Sequence, residues 1–123
     1  MTLLVANKPL SALTTNITAN ILDASAGPHA LTFVGSKQVL TIVNGDVGSI
    51  TVNFLGDGVT TFNCPGLGPQ TVSAGDDIVV ATGDTVEYLV SAHNGFMGAE
   101  GNNVVVTITS ATSLSSIWLS EYN

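Results

Sequence analysis

The sequence predicts an all-β fold: a single antiparallel β-sandwich, immunoglobulin-like or jelly-roll, with an extended amino-terminal arm. Three observations carry this. Val, Thr and Ile are plentiful, while residues that clothe exposed helices are scarce; charged residues make up 9% of the chain and hydrophobic ones 45%. Apolar side chains recur with a period of two, most plainly in Ile50, Val52 and Phe54 set against Ser49, Thr51 and Asn53. Turns rich in Gly, Asp and Asn punctuate the chain at spacings of roughly 8–14 residues. At 123 residues the chain is long enough for one domain with a sizeable core.

The stretch from Lys37 to Leu55 is the expected centre. Two apolar runs flank Asn44, Gly45, Asp46 and Gly48, and an Asn-Gly pair between strands signals a hairpin turn. A central β-hairpin is therefore expected, with the rest of the chain packed against it. Residues 1–26 read differently, because Leu3, Leu4, Val5, Leu10, Leu13, Ile17, Ile21 and Leu22 follow no sustained period. Thr14 to Leu22 fits a strand, or Ile17, Ile21 and Leu22 mark a helical turn. The segment reads as an arm or edge strand, lying on its own sandwich or on a neighbouring subunit.

Gly27-Pro28 is a break, and residues 27–123 form the sandwich. Further strands are expected at Ala30–Val34, Val59–Asn63, Ile78–Ala81, Thr85–Val90, Val104–Thr109 and Leu114–Leu119. Leu31 shares a face with Phe33; Val86 shares one with Tyr88 and Val90; Ile117 and Leu119 point inward with Trp118 opposite. Cys64 to Pro69 holds two prolines and two glycines and reads as a loop. His93 to Asn103 is a long glycine-rich loop of a length often functional, with Phe96 and Met97 at its tip.

Composition excludes several functions. Net charge is −7 and the only strong cations are Lys8 and Lys37, so neither phosphate neutralisation of nucleic acid nor a polybasic membrane anchor is expected. No apolar run approaches the roughly 20 residues of a membrane span, and the first residues lack the pattern of a signal peptide. Synthesis in the cytoplasm follows, and the Asn16-Ile17-Thr18 acceptor pattern reads as chance. Cys64, the single cysteine, forms no internal disulfide and reads as a small, partly buried hydrophobe.

Candidate chemistry is sparse. Gly-Asp occurs four times, ending in Asp46, Asp57, Asp76 and Asp84, and turn chemistry explains each. Asp76-Asp77, joined by Asp57 or Asp84, is the one grouping with the makings of a calcium site. His29, His93 and Cys64 have no paired spacing for zinc. No G-x-S-x-G pattern is present, and Gly66-Leu67-Gly68 runs into Pro69 rather than a helix that would cradle phosphate. No catalytic, cofactor or metal residues are assigned, and the chain is not expected to be an enzyme. Trp118, Tyr122, Phe96, Met97 and Tyr88 fit either a sugar platform or sandwich packing.

The order of an apolar leader, LTIVNGDVGSITVNF, a Gly/Pro-rich loop, TVSAGDDIVV and NNVVVTIT resembles the small β-sandwich proteins that decorate, or cement, the capsids of tailed phages. The similar elements span residues 30–119. The resemblance implies a structural virion protein on the outer capsid surface, made in the host cytoplasm, that binds the major capsid protein between capsomers and stabilises the expanded shell. It also implies a homo-oligomer, a trimer by preference. On that reading Leu3, Leu4, Val5, Leu10, Leu13, Ile17, Phe96 and Met97 carry capsid or subunit contacts. The acidic balance agrees with an outward location, since packaged nucleic acid would repel the chain. The alternative is a tail-associated or adhesin-like sandwich binding a host-surface glycan.

Overall fold

The computed structural model describes residues 2–7, 20–34, 37–91, 97 and 101–122. Twelve strands are found among them. The leader contributes β1 (Thr2–Leu3), β2 (Ala6–Asn7) and β3 (Leu22–Asp23), followed by a 3-10 turn, Ala24–Ala26. Then come β4 (His29–Thr32), β5 (Lys37–Val43), β6 (Ile50–Gly56), β7 (Thr61–Cys64) and β8 (Gly68–Thr71). The chain continues with β9 (Asp76–Val80), β10 (Thr85–Leu89), β11 (Asn103–Thr109) and β12 (Ser116–Tyr122).

Two sheets pack face to face, so the fold is an all-β sandwich. One has the order β1-β4-β11-β6-β9; the other has β10-β5-β12-β2, with β3 also on β12. The pairing is nested: β4 with β11, β5 with β10, β6 with β9 and β7 with β8, all antiparallel. Strands β4 to β7 thus run out and β8 to β11 run back as one long ribbon folded over itself. That is the winding of a jelly roll, which separates it from the immunoglobulin-like alternative.

The alternation read from the sequence places the core. Ile50, Val52 and Phe54 are buried on β6, as are Leu40 and Ile42 on β5, Val104 and Val106 on β11, and Ile117 and Leu119 on β12. Leu31 and Phe33 join them from one edge, and Tyr88 and Val90 from the other. Trp118, on the opposite face of β12, is half-buried.

The expected central hairpin is not one. β5 lies in one sheet and β6 in the other, and their apolar faces meet across the core. Residues 44–49 form an arch between the sheets. Its cause is the side chain of Asn44, which is buried. Its Nδ2 donates to the carbonyls of Gly48 at 3.0 Å and Val80 at 2.9 Å, while its Oδ1 accepts from the Asp46 N–H at 2.9 Å. Gly45 and Gly48 do not take the positive φ of a tight hairpin turn. Gly45 is needed for another reason, because a Cβ there would sit 2.2 Å from the Leu114 carbonyl oxygen.

The expected loop from Cys64 to Pro69 is also corrected. Its second half is strand β8, closed against β7 by a turn in which the Leu67 N–H donates to the Cys64 carbonyl at 3.0 Å. Pro69 lies opposite Asn63, on a ribbon both of whose strands are edges, where a missing N–H breaks nothing.

The leader's described residues lie on this chain's own sandwich. β1 runs parallel to β4, and β2 runs parallel to β12. The chain crosses between the sheets at Leu4, whose N–H donates to the Ala30 carbonyl at 2.7 Å.

Two glycines of the arch separate its demands. Gly45→Ala forces a backbone clash and is expected to lower the unfolding free energy by about 1–3 kcal/mol. Gly48 has nothing within 4 Å of an added Cβ, so Gly48→Ala is expected to raise it by about 0.4–1 kcal/mol through the unfolded chain's lost freedom. Urea unfolding of both variants measures the difference.

Candidate functional site at the amino-terminal edge

Alternation across the leader places its side chains. Leu4 is 4% exposed, whereas Leu3 is 53% and Val5 60% exposed. Period two thus turns one leucine into the core and leaves its neighbours in water. Leu3 and Val5 flank a groove of about 280 Å³, lined also by Val34, Gln38, Leu119 and Glu121. The walls come from the ends of β4, β5 and β12 and from the leader, and the two seven-residue strands β5 and β12 anchor the groove's shape.

Its polar floor is satisfied internally. Gln38 is buried on the face of β5 it shares with Leu40 and Ile42. Its Nε2 donates to the Thr32 carbonyl at 2.8 Å, and its Oε1 accepts from the Val34 N–H at 3.2 Å. The amide therefore staples β4 to the start of β5 and leaves the groove mostly hydrocarbon. Sequence reasoning did not single out Gln38, although its position two residues before Leu40 places it on the buried parity.

The other residues expected to carry contacts are distributed differently. Leu4 and Met97 are buried in the hydrophobic core, and Leu4 also lines the inner side of the groove. Leu10, Leu13, Ile17 and Phe96 lie outside the described residues. Of the expected contact residues that are described, Leu3 and Val5 are the two whose side chains are exposed.

Groups weighed for metal binding do not converge. Among the described residues no three His, Cys, Asp or Glu side chains come together. His29 is buried, with its ring Nε2 3.2 Å from the Ala24 carbonyl; Nε2 carries the proton, since the carbonyl can only accept. Cys64 sits on the ribbon, partly exposed, and His93 lies outside the described residues. Asp77 accepts from the Asn53 Nδ2 at 2.7 Å, and Asp57 accepts from the Asn102 Nδ2 at 2.9 Å. Tyr88 is buried, and desolvation together with the nearby Asp76 charge pushes its phenol well above the usual range. Among the described residues no helix is long and apolar enough to cross a membrane.

The strongest polar cluster was missed by sequence reasoning, which took Asp46 as a turn residue. Asp46 is buried beneath the arch. Its Oδ2 accepts from the Ser115 hydroxyl at 2.5 Å and from the Thr112 N–H at 3.0 Å, and its Oδ1 accepts from the Thr112 hydroxyl. The Ser115 Oγ also lies 3.3 Å from Asn44 Oδ1. The Ser115 bond, then those from Thr112, hold the carboxyl below its ordinary range, against a smaller opposing effect of burial. The cluster ties the arch to the β11–β12 connection, which makes it structural.

The sign of its pH dependence follows. A carboxyl with a depressed folded-state pKa contributes its full stability above the unfolded value near 3.9 and loses it as pH falls through the folded value. Asp46→Asn, which cannot accept every donor there, is expected to lower the melting temperature at neutral pH. It is also expected to flatten the fall in melting temperature that the unaltered protein shows between about pH 4 and pH 2. Thermal melts of both across that range check the assignment.

Compared with known proteins, no family model, no curated protein and no solved structure matches this chain.

Proposed function

We propose that this chain is a non-catalytic structural protein of a phage particle, decorating the outer surface of an icosahedral capsid and bridging neighbouring subunits of its shell. The observation that carries the reading is the amino-terminal edge, where Leu3 and Val5 stand exposed beside a hydrocarbon-walled groove on a rigid sandwich. Exposed apolar surface grouped in this way marks a protein contact. The supporting context is a surface poor in charge, acidic overall, on a winding shared by many viral and lectin domains. Fold alone does not choose between those uses.

Binding that favours the expanded shell stabilises it by mass action, and repeated weak contacts from an oligomer combine through effective concentration. The glycan-binding alternative calls for aromatic faces gathered at one end of the sandwich. Tyr88 is in the core, Phe62 lies out on the ribbon, and Trp118 and Tyr122 are half-buried four residues apart on one face of β12, so the described aromatics are spread over the molecule rather than gathered at one end.

Quantitative mass spectrometry of virus particles purified from a lysate of the source is expected to find the chain in numbers comparable with the major capsid protein. A handful of copies per particle moves it to the tail or a vertex, and its absence from particles overturns the reading.

The contact itself is tested on the surface residues, because truncating the leader would also remove Leu4 from the core. Leu3→Asp combined with Val5→Asp is expected to abolish binding to particles stripped of the protein. As exposed substitutions, the pair should change stability by only about 0.5 kcal/mol each. Co-sedimentation and a urea melt of the same preparation give the two readouts.

A further inference from the structure

The nested winding leaves one pair of strands out of place. β4–β11 lies in the first sheet, β5–β10 in the second and β6–β9 in the first again, so the next pair, β7–β8, is due in the second sheet beside β10. It stands apart as a two-stranded ribbon instead. Every residue from Thr61 to Thr71 is exposed or half-exposed, including Phe62 at 42% and Leu67 at 74%. A two-stranded ribbon with neither face covered is marginal in water.

Two main-chain bonds fix which groups point outward. The Val72 N–H donates to the Thr60 carbonyl at 2.9 Å. Phe62–Gln70 and Cys64–Gly68 are therefore the hydrogen-bonded pairs of the ribbon, and Thr61–Thr71 and Asn63–Pro69 are not. Thr61 and Asn63 aim their N–H and C=O groups away from β8, while Pro69 blunts the opposite edge. In the second sheet, the Asn44 N–H donates to the Asp84 carbonyl at 2.9 Å. The same count puts Val86 and Tyr88 in the bonded pairs with Ile42 and Leu40, and turns Thr85, Glu87 and Leu89 outward. Among the described residues no strand pairs with β10 on that side or with the outer edge of β7.

Charge selects the partner. From Gly58 to Gly75 the chain has no charged residue, in a molecule of net charge −7, so this ribbon meets the least repulsion on approaching another copy. The outer edge of β9 carries Asp76 and Asp77. Pairing β10 with β10 of a second copy in full antiparallel register would set Glu87 against Glu87, which is unfavourable. β7 is uncharged and of nearly the same length as β10.

We infer that β7 of one copy adds to the free edge of β10 in a second copy, completing between chains the sheet that the winding leaves open within one. The partner is a second copy of this chain, joined by main-chain bonds from Thr61 and Asn63 to Thr85, Glu87 and Leu89. Because β7 and β10 are different patches, the contact is either exchanged twice across a two-fold axis or repeated head to tail round a ring. The inference goes beyond the decoration reading, since it needs no capsid.

The test uses the purified chain without particles. Asn63→Pro removes an outward donor of β7, and Glu87→Pro removes one of β10; neither position donates within its own ladder. The unaltered chain is expected to assemble, and each variant to sediment as a monomer. Mixing the two is expected to restore a 1:1 dimer, because one supplies an intact β7 and the other an intact β10. Hydrogen exchange on the unaltered chain gives a readout free of any folding defect: the Asn63 and Glu87 amides are expected to exchange about 10-fold or more slowly in the assembled state than on dilution. The inference is overturned by a monomer persisting to about 100 µM, by either variant assembling normally, by a mixture of folded variants that stays monomeric, or by unprotected amides in the assembly. Loss of particle binding bears only on the decoration reading.

Discussion

The arch at residues 44–49 is the constraint from which the rest of the topology follows. A chain leaving one sheet for the other must carry its main-chain polar groups across the end of the core, where each unsatisfied group is costly. Asn44 and Asp46 solve this with side chains. Asn44 takes up the Gly48 and Val80 carbonyls and the Asp46 N–H, while the Asp46 carboxylate gathers Thr112 and Ser115. Because β5 and β6 are held in different sheets, their return partners β10 and β9 are separated too, and the whole ribbon folds over on itself. Were the same residues a tight hairpin, β5 and β6 would pair side by side and none of the nested order would remain.

This explains what could be read in advance and what could not. Period two reports which face of a strand is buried, and that was legible in Ile50, Val52 and Phe54 and again in Ile117 and Leu119. It says nothing of which strand lies alongside. The Asn-Gly signal fails at residue 44 because the partner that decides the turn, the Val80 carbonyl, lies 36 residues away. Proline misled in the opposite direction: Pro69 was compatible with a strand because its missing N–H falls at an outward position. In the leader, the irregular spacing hid a short alternation in which Leu4 packs and Leu3 and Val5 do not. Buried polar residues were the least legible: Gln38 has the buried parity but is explained as core only by its bonds to Thr32 and Val34, and Asp46 only by its distant donors Thr112 and Ser115.

The polar arch and the apolar groove sit at opposite ends of the same strands. Gln38 opens β5 and Asn44 follows its last residue; Ser115 precedes β12 and Glu121 is near its end. A seven-residue strand spans about 20 Å, so the hydrogen-bonded arch, on which Val47 and Leu114 stand exposed, lies about that far from the groove. Where the groove is walled by the long paired strands β5 and β12, little conformational freedom is lost when it is covered, and even a modest buried area can contribute net affinity.

The open strand edges fit the same logic at the level of the backbone. Proteins guard exposed edges with charge, proline or bulges, and here β9 is guarded by Asp76 and Asp77 and β8 by Pro69. β7 has no such guard, and β10 has only Glu87. A chain otherwise so short of charge has placed its few acidic groups where they discourage one pairing and leave another free. In that sense Glu87 is selective: it opposes its own copy, yet offers no obstacle to the uncharged β7. Unguarded edges that would be a liability in a dilute monomer become a specific joint once the partner is another copy of the same chain.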